Sequence, residues 1–171
     1  MKGRKIRILT VTVLALCLVF TMSGLAFAGS SVTLSGAYQT ALKDAGLTKQ
    51  QVKNVEKEYD DGRYEIGFTK KGTRIEYEYE ISKSGKIIEK TVDYNRKRVK
   101  GAKKLTENQA ISKVSKFSGI KSSFINNGRV RLERDDGQWI YEIKFSKGNI
   151  RYDYEVHART GKILEYSRKA I

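Results

Sequence analysis

Two stretches decide the fold: DDGRYEIGFTKKGTRIEYEYEISKSGKIIE, residues 60–89, and DDGQWIYEIKFSKGNIRYDYEVHARTGKILE, residues 135–165. Asp-Asp-Gly, an alternating run, a Lys-Gly turn, an aromatic-acidic run and a Gly-Lys-Ile turn occur in the same order in both. The offset is 75 at Gly62/Gly137, 77 at Tyr64/Tyr141, 75 at Tyr77/Tyr152 and 76 at Gly85/Gly161. The small insertions therefore fall at turns, where a duplicated fold tolerates them best. A duplicated small module suits recognition, and single-copy catalytic residues fit it poorly.

Within each stretch the period is two. Tyr64, Ile66 and Phe68 alternate with Arg63, Glu65 and Gly67, and Ile75, Tyr77, Tyr79 and Ile81 alternate with Glu76, Glu78 and Glu80. The second stretch repeats this with Trp139, Tyr141, Ile143 and Phe145, then Ile150, Tyr152, Tyr154 and Val156 against Arg151, Asp153, Glu155 and His157. Such alternation of aromatic and β-branched residues marks antiparallel strands with one face buried and one wet. Asp-Gly, Lys-Gly, Ser-Gly and Thr-Gly pairs separate the runs as hairpin signals. Residues 52–59 and 129–134 supply a strand before each hairpin, and 86–92 and 162–168 one after it.

A helix precedes each set of strands. Ser35 to Ala45 carries Ala37, Ala41, Leu42 and Ala45 on one face, with Ser35 expected as its cap and Gly46 as its end. Thr106 to Gln109 reads as a capping box, Ala110, Ile111, Val114 and Phe117 as the apolar stripe, and Gly119 as the stop. Helices this short are unstable alone, so each must cover the apolar face of a sheet. The expected fold is α+β: two tandem repeats, each a short helix on an antiparallel sheet of about four strands. Whether the two sheets join stays open at this point.

These elements together resemble a PepSY domain, the small module of thermolysin-like peptidase propeptides and of many exported bacterial proteins. The first copy carries the resemblance in Ala45-Gly46-Leu47, Asp61-Gly62, Tyr64 to Phe68, Tyr77 to Ile81 and Ser84 to Ile87. The second carries it in Ser118-Gly119-Ile120, Asp136-Gly137, Tyr141 to Phe145, Tyr152 to Val156 and Thr160 to Ile163. The resemblance implies a non-catalytic module that inhibits or modulates a peptidase, acting in trans. Tandem copies also resemble the arrangement of the β-lactamase inhibitory protein, in which two helix-plus-sheet repeats present a concave surface.

The boundaries read as a signal peptide over 1–28, a first PepSY-like domain over 33–93, a basic linker over 94–104 and a second domain over 105–171. Lys2, Arg4, Lys5 and Arg7 precede an apolar run from Ile8 to Phe27 that ends in Ala26-Phe27-Ala28, a secretory layout with cleavage expected after Ala28. An uncleaved anchor is the competing reading, since about 20 apolar residues can span a bilayer. A lipoprotein reading through Cys17 fits less well, because Leu16 stands where a small residue should precede it. The chain is then secreted or associated with the cell envelope, with no disulfide, as its one Cys lies in the signal.

Four of the 34 basic residues leave with the signal, and the remaining 30 against 19 acidic ones give +11. That excess favours anionic partners: phospholipid, acidic wall polymers or an acidic protein. Arg96, Lys97, Arg98, Lys100, Lys103 and Lys104 concentrate it in the linker and are candidate polyanion contacts. Nucleic acid does not fit an exported chain.

Catalysis finds little support. His157 is the one His, and its place in the alternation reads as an exposed strand residue beside a turn. Zinc is poorly served by one His and no remaining Cys. Glu76, Glu78 and Glu80, with Asp153 and Glu155 in the second copy, read as a solvated face paired across strands. The Asp-Asp-Gly triplets lack calcium-loop spacing and are turns. No cofactor, metal or catalytic residue is expected. Trp139 and Ile140 are the candidate partner contacts, because only one of two neighbours on a strand can point inward.

Overall fold

The computed structural model describes residues 31–94, 102–135 and 137–171. Helix α1 (Leu34–Ala45) leads into a 3-10 turn and strands β1 (Val52–Asp60), β2 (Arg63–Lys70), β3 (Ile75–Ser82) and β4 (Ile87–Tyr94). Helices α2 (Glu107–Ser118) and α3 (Ser122–Ile125) precede β5 (Arg129–Asp135), β6 (Gln138–Lys147), β7 (Ile150–His157) and β8 (Ile163–Ala170).

The strands form one antiparallel eight-stranded sheet in the order β1-β2-β3-β4-β8-β7-β6-β5. The two last strands of the hairpin series, β4 and β8, pair with each other from Glu89↔Lys169 to Asp93↔Glu165. The sheets therefore join. Pairing these strands satisfies two rows of backbone groups that would otherwise be edges, and leaves β1 and β5 as the open ones.

Alternation places the apolar residues as expected. Tyr64, Ile66, Phe68, Tyr79 and Ile81 pack with Ala37, Tyr38, Ala41 and Leu42 of α1 in one core. Tyr141, Ile143, Phe145, Tyr154 and Val156 pack with Ala110, Ile111 and Val114 of α2 in a second core on the same side of the sheet. Each large apolar side chain buried there contributes about 1.5–3 kcal/mol. Phe68 stacks on Tyr77 and Tyr79, and Phe145 on Tyr152 and Tyr154, so the aromatic ladder is repeated as well.

The helix ends follow their capping chemistry. Thr106 and Gln109 form the expected capping box, and Gly46 and Gly119 close the helices at φ 66° and 70°. For α1 the cap is Thr33, whose hydroxyl accepts the Gly36 N–H at 3.1 Å, and Ser35 lies inside the first turn. Extended backbone at Thr33 (φ −82°, ψ 166°) makes it the residue that can cap.

Helix α3 has no counterpart in the sequence reading. Its Ile125 is fully buried in the second core, and Gly128 follows where the chain meets β6. A Cβ on Gly128 would lie 2.2 Å from the Lys144 carbonyl oxygen and 2.7 Å from the Phe145 Cβ, so only glycine lets the backbones approach so closely. Phe117, expected in the stripe of α2, is 43% exposed, with its ring edge-on to Tyr94, Tyr154 and Tyr166 at the junction of the two halves.

Candidate functional site

Both cores lie under the helices, so the other face of the sheet presents the second set of alternating residues. Among the described residues no helix packs on it. From β1 to β4 the register brings Glu56 and Glu58, Glu65 and Gly67, Glu78 and Glu80, then Glu89 and Thr91 side by side. On β8, β7 and β6 the face continues through Glu165 and Ser167, Asp153 and Glu155, then Glu142 and Lys144. In a chain with net charge +15, carboxylates are thus gathered on this surface, most densely in its first half, while β5 adds Arg129 and Arg131 at the far edge.

A trough of about 870 Å³ crosses the first half of this face, lined by Glu56, Glu65, Glu78, Glu80 and Glu89, with Gly67 in its floor. Glu80 meets Arg63 at 2.8 Å and lies 3.9 Å from Lys169, which also pairs with Glu89. Glu78 has a different environment. Burial raises its carboxyl above the usual range, and the charges of Glu165, Glu76, Glu56 and Glu65 raise it further. The expected cross-strand pairing of this face holds for Glu80 and fails for Glu78, because glycine occupies the facing position Gly67.

In the second half the same register puts Lys144 opposite Asp153. Its ammonium lies 2.5 Å from Glu142 Oε1 and 2.8 Å from Asp153 Oδ2. Partial burial opposes the charge on Lys144, but its hydrogen bonds to the two carboxylates outweigh that and raise its pKa. Burial still holds Asp153 above the usual carboxylate range, with Lys144 pulling it down and Glu142 pushing it up.

One ion-paired cluster ties the halves together on the helix side. Asp44, in the last turn of α1, bonds Lys90 Nζ at 2.6 Å and Arg168 at 2.5 Å, and accepts the Tyr79 hydroxyl at 3.1 Å. Burial acts to raise its carboxyl, but Lys90, Arg168 and Tyr79 prevail and hold it below the usual range.

The candidate residues named from sequence fall in several places. Trp139 is 37% exposed, while Ile140 is 1% exposed. Arg96, Lys97, Arg98 and Lys100 lie outside the described residues, as does the signal segment 1–28. Lys103 and Lys104 are exposed, and the Lys103 ammonium sits 5.9 Å from the centre of the Tyr141 ring. His157 is 2% exposed and not on the surface as expected. The register shifts between Glu155 and Val156, ahead of the β7–β8 turn. There the His157 Nδ1 accepts the Arg159 and Thr160 N–H groups at 3.2 Å each. It is a turn-capping side chain.

Among the described residues no group of three or more His, Cys, Asp or Glu is placed to hold a metal ion, and no helix is long and apolar enough to cross a membrane. No curated protein matches the chain. Several solved structures are similar to it at low identity. A Clostridium difficile 630 protein described as a lipoprotein is 16% identical, with 85% of this chain and 98% of that one covered and a TM-score of 0.31. The Bacillus megaterium YpeB C-terminal domain is 19% identical, covering 84% of this chain and 68% of that one, with a TM-score of 0.31. A BLIP-like protein from Bacteroides fragilis NCTC 9343 is 15% identical, with coverage of 78% and 84% and a TM-score of 0.29. Residues 104–166, from the lead into α2 through the first half of β8, match the PepSY family, described as the peptidase propeptide and YPEB domain.

Proposed function

We propose that the chain is an exported, non-catalytic binding module that inhibits or modulates a peptidase at the cell envelope or outside the cell. In this reading it consists of two PepSY-like units, of which residues 104–166 are the one that matches the family, joined edge to edge. The observation that carries it is the continuous sheet face left open by both helices, broad enough to lie across an enzyme's cleft. Docking would be steric, with no covalent step. Specific protein interfaces of standard size bury about 800 Å² per partner, which a face eight strands wide can supply. Trp139, half-exposed at the start of β6 on the side it shares with Tyr141, is proposed as a separate aromatic contact at the sheet's end.

The test is inhibition and capture. The purified protein should bind, and slow, at least one peptidase from the secreted or envelope fraction of its own cell. Failure to bind any of them would remove the reading.

A second reading is favoured by the charge distribution. With carboxylates gathered on the sheet's open face, the excess of lysine and arginine must lie on the helix side, at the margins and in the 94–104 segment. That arrangement suits retention on anionic wall polymer or lipid. Retention should fall steeply between low and physiological salt, because exposed charges are screened within about 8–10 Å there. Salt-insensitive retention would exclude it.

A further inference from the structure

The two halves of the open face differ in charge around one pair of positions: Glu56 faces Gly67 on the first half, and Arg129 faces Lys144 on the second. On β6, Lys144 stands between Glu142, two residues earlier, and Asp153 across the ladder. On β2, Gly67 stands in the same relation to Glu65 and Glu78. The carboxylates are present in both halves; the ammonium is present in one.

We propose that the trough over Gly67 is a socket for one lysine side chain of a protein partner, whose ammonium lies between Glu65 and Glu78 as that of Lys144 lies between Glu142 and Asp153. Three observations meet here. First, the space is real: the trough is about 870 Å³, and even a Cβ built on Gly67 would meet nothing closer than the Glu56 Cβ at 3.7 Å. Second, the charges at the socket are not offset from within. Among the described residues neither Glu65 nor Glu78 has an ion pair, whereas Glu80 and Glu89 at the rim are paired with Arg63 and Lys169. Third, the protein itself displays the ligand, since Lys144 shows that an ammonium fits this carboxylate pair on this sheet register.

A lysine rather than a metal ion follows from the donor set, because no three acidic groups among the described residues converge as a cation cage. An alkyl stem would lie over the bare Gly67 backbone while its head reaches the carboxylates, the way long cationic side chains cover apolar surface. The assignment deepens the binding-module reading by naming what the partner inserts.

The test uses the purified protein and the peptide acetyl-Gly-Gly-Lys-Gly-Gly-amide, with norleucine in place of lysine as control. Nuclear magnetic resonance of the Gly67 amide and the Glu78 carboxyl carbon reports occupancy. The lysine peptide should shift both saturably, and the control should not. Gly67→Lys should abolish the shift by supplying a tethered ammonium, and Glu78→Gln should weaken binding at least tenfold, with both variants unfolding at or above the parent temperature. Lys144→Gly should open a second site, reported at Glu142 and Asp153. Shifts spread evenly over the acidic face, or binding that survives both Gly67→Lys and Glu78→Gln, would overturn the socket. A dimer that forms with concentration and is dissolved by Gly67→Lys would place the lysine on a second copy and overturn its assignment to another protein. Peptidase inhibition is scored separately: its absence with peptide binding intact removes the peptidase reading alone, and its persistence in Gly67→Lys removes the socket alone.

Discussion

Gly67 and Lys144 occupy matching positions on β2 and β6, and the surfaces around them behave oppositely. Around Lys144 two carboxylates are bridged by an ammonium, and the face is closed over by its own chemistry. Around Gly67 the corresponding carboxylates face an open trough, and burial together with neighbouring carboxylate charges raises Glu78 above the usual range. On the helix side one pair of positions does match: Tyr64 and Tyr141 each send a hydroxyl to the backbone ahead of their helix, at Val32 and Leu105. These two scaffold tyrosines agree between the halves, although α3 and its buried Ile125 belong to the second alone. A residue that leaves repulsion in place costs stability, and such sites are where binding surfaces are found.

The comparison can be broken most forcefully at glycine. Gly128→Ala should destabilise the protein by about 3 kcal/mol, because the Cβ would overlap the Lys144 carbonyl and the Phe145 side chain. Gly67→Ala should change stability by less than about 0.5 kcal/mol, since its Cβ meets only ordinary contact. Denaturant midpoints of the two variants decide the point, and equal losses would show that the two glycines do not differ as described.

The tie between the halves comes next. Asp44→Ala leaves Lys90 buried without its carboxylate and should cost about 2 kcal/mol at neutral pH. Because the folded state holds Asp44 below the usual carboxylate range, its contribution is present above that range and is lost as pH falls through the lower folded value. Thermal melts from neutral to acid pH should therefore converge for parent and variant only in acid.

Lys144→Met should cost about 0.5 kcal/mol, a modest loss because its side chain is 40% exposed. The loss should shrink in acid, where Asp153, held above the usual carboxylate range by burial, takes up a proton. Smallest is Glu78→Gln, which should stabilise the protein at neutral pH by a few tenths of a kcal/mol through relief of like-charge contact. The sign follows from its raised carboxyl: the folded state binds this proton more tightly, so stability declines as pH rises out of the ordinary glutamate range. The gain should vanish below that range, and a loss at neutral pH would contradict the repulsion around Gly67.

Much of this was legible before the structure. Aromatic-acidic alternation in Tyr77 to Ile81 and Tyr152 to Val156 set the strands and separated core from wet face, because side chains on a strand alternate with a period of two. Capping signals at Thr106, Gln109 and Gly119 worked for the same local reason. Other features depend on distant contacts. Helix α3 is four residues long with no periodicity to read, and Gly128 is required by a carbonyl sixteen positions away. Alternation reads His157 as exposed, but its ring is buried at the end of β7, where Nδ1 accepts the amides of the following turn. The site was half legible: the rows of glutamates were visible, whereas the contrast between Gly67 and Lys144 has meaning only once Glu78 and Asp153 face them.

In the sequence by itself, local periodicity and turn chemistry set α1, α2, the eight strands, their order and, His157 aside, the face each strand buries, with carboxylates concentrated on the opposite one. Only the tertiary structure decided that β4 pairs with β8 to make one sheet, that Asp44 and Arg168 meet across 124 residues, and which carboxylates are neutralised. Those outcomes depend on register between strands far apart in the chain, and register is settled by packing of whole faces.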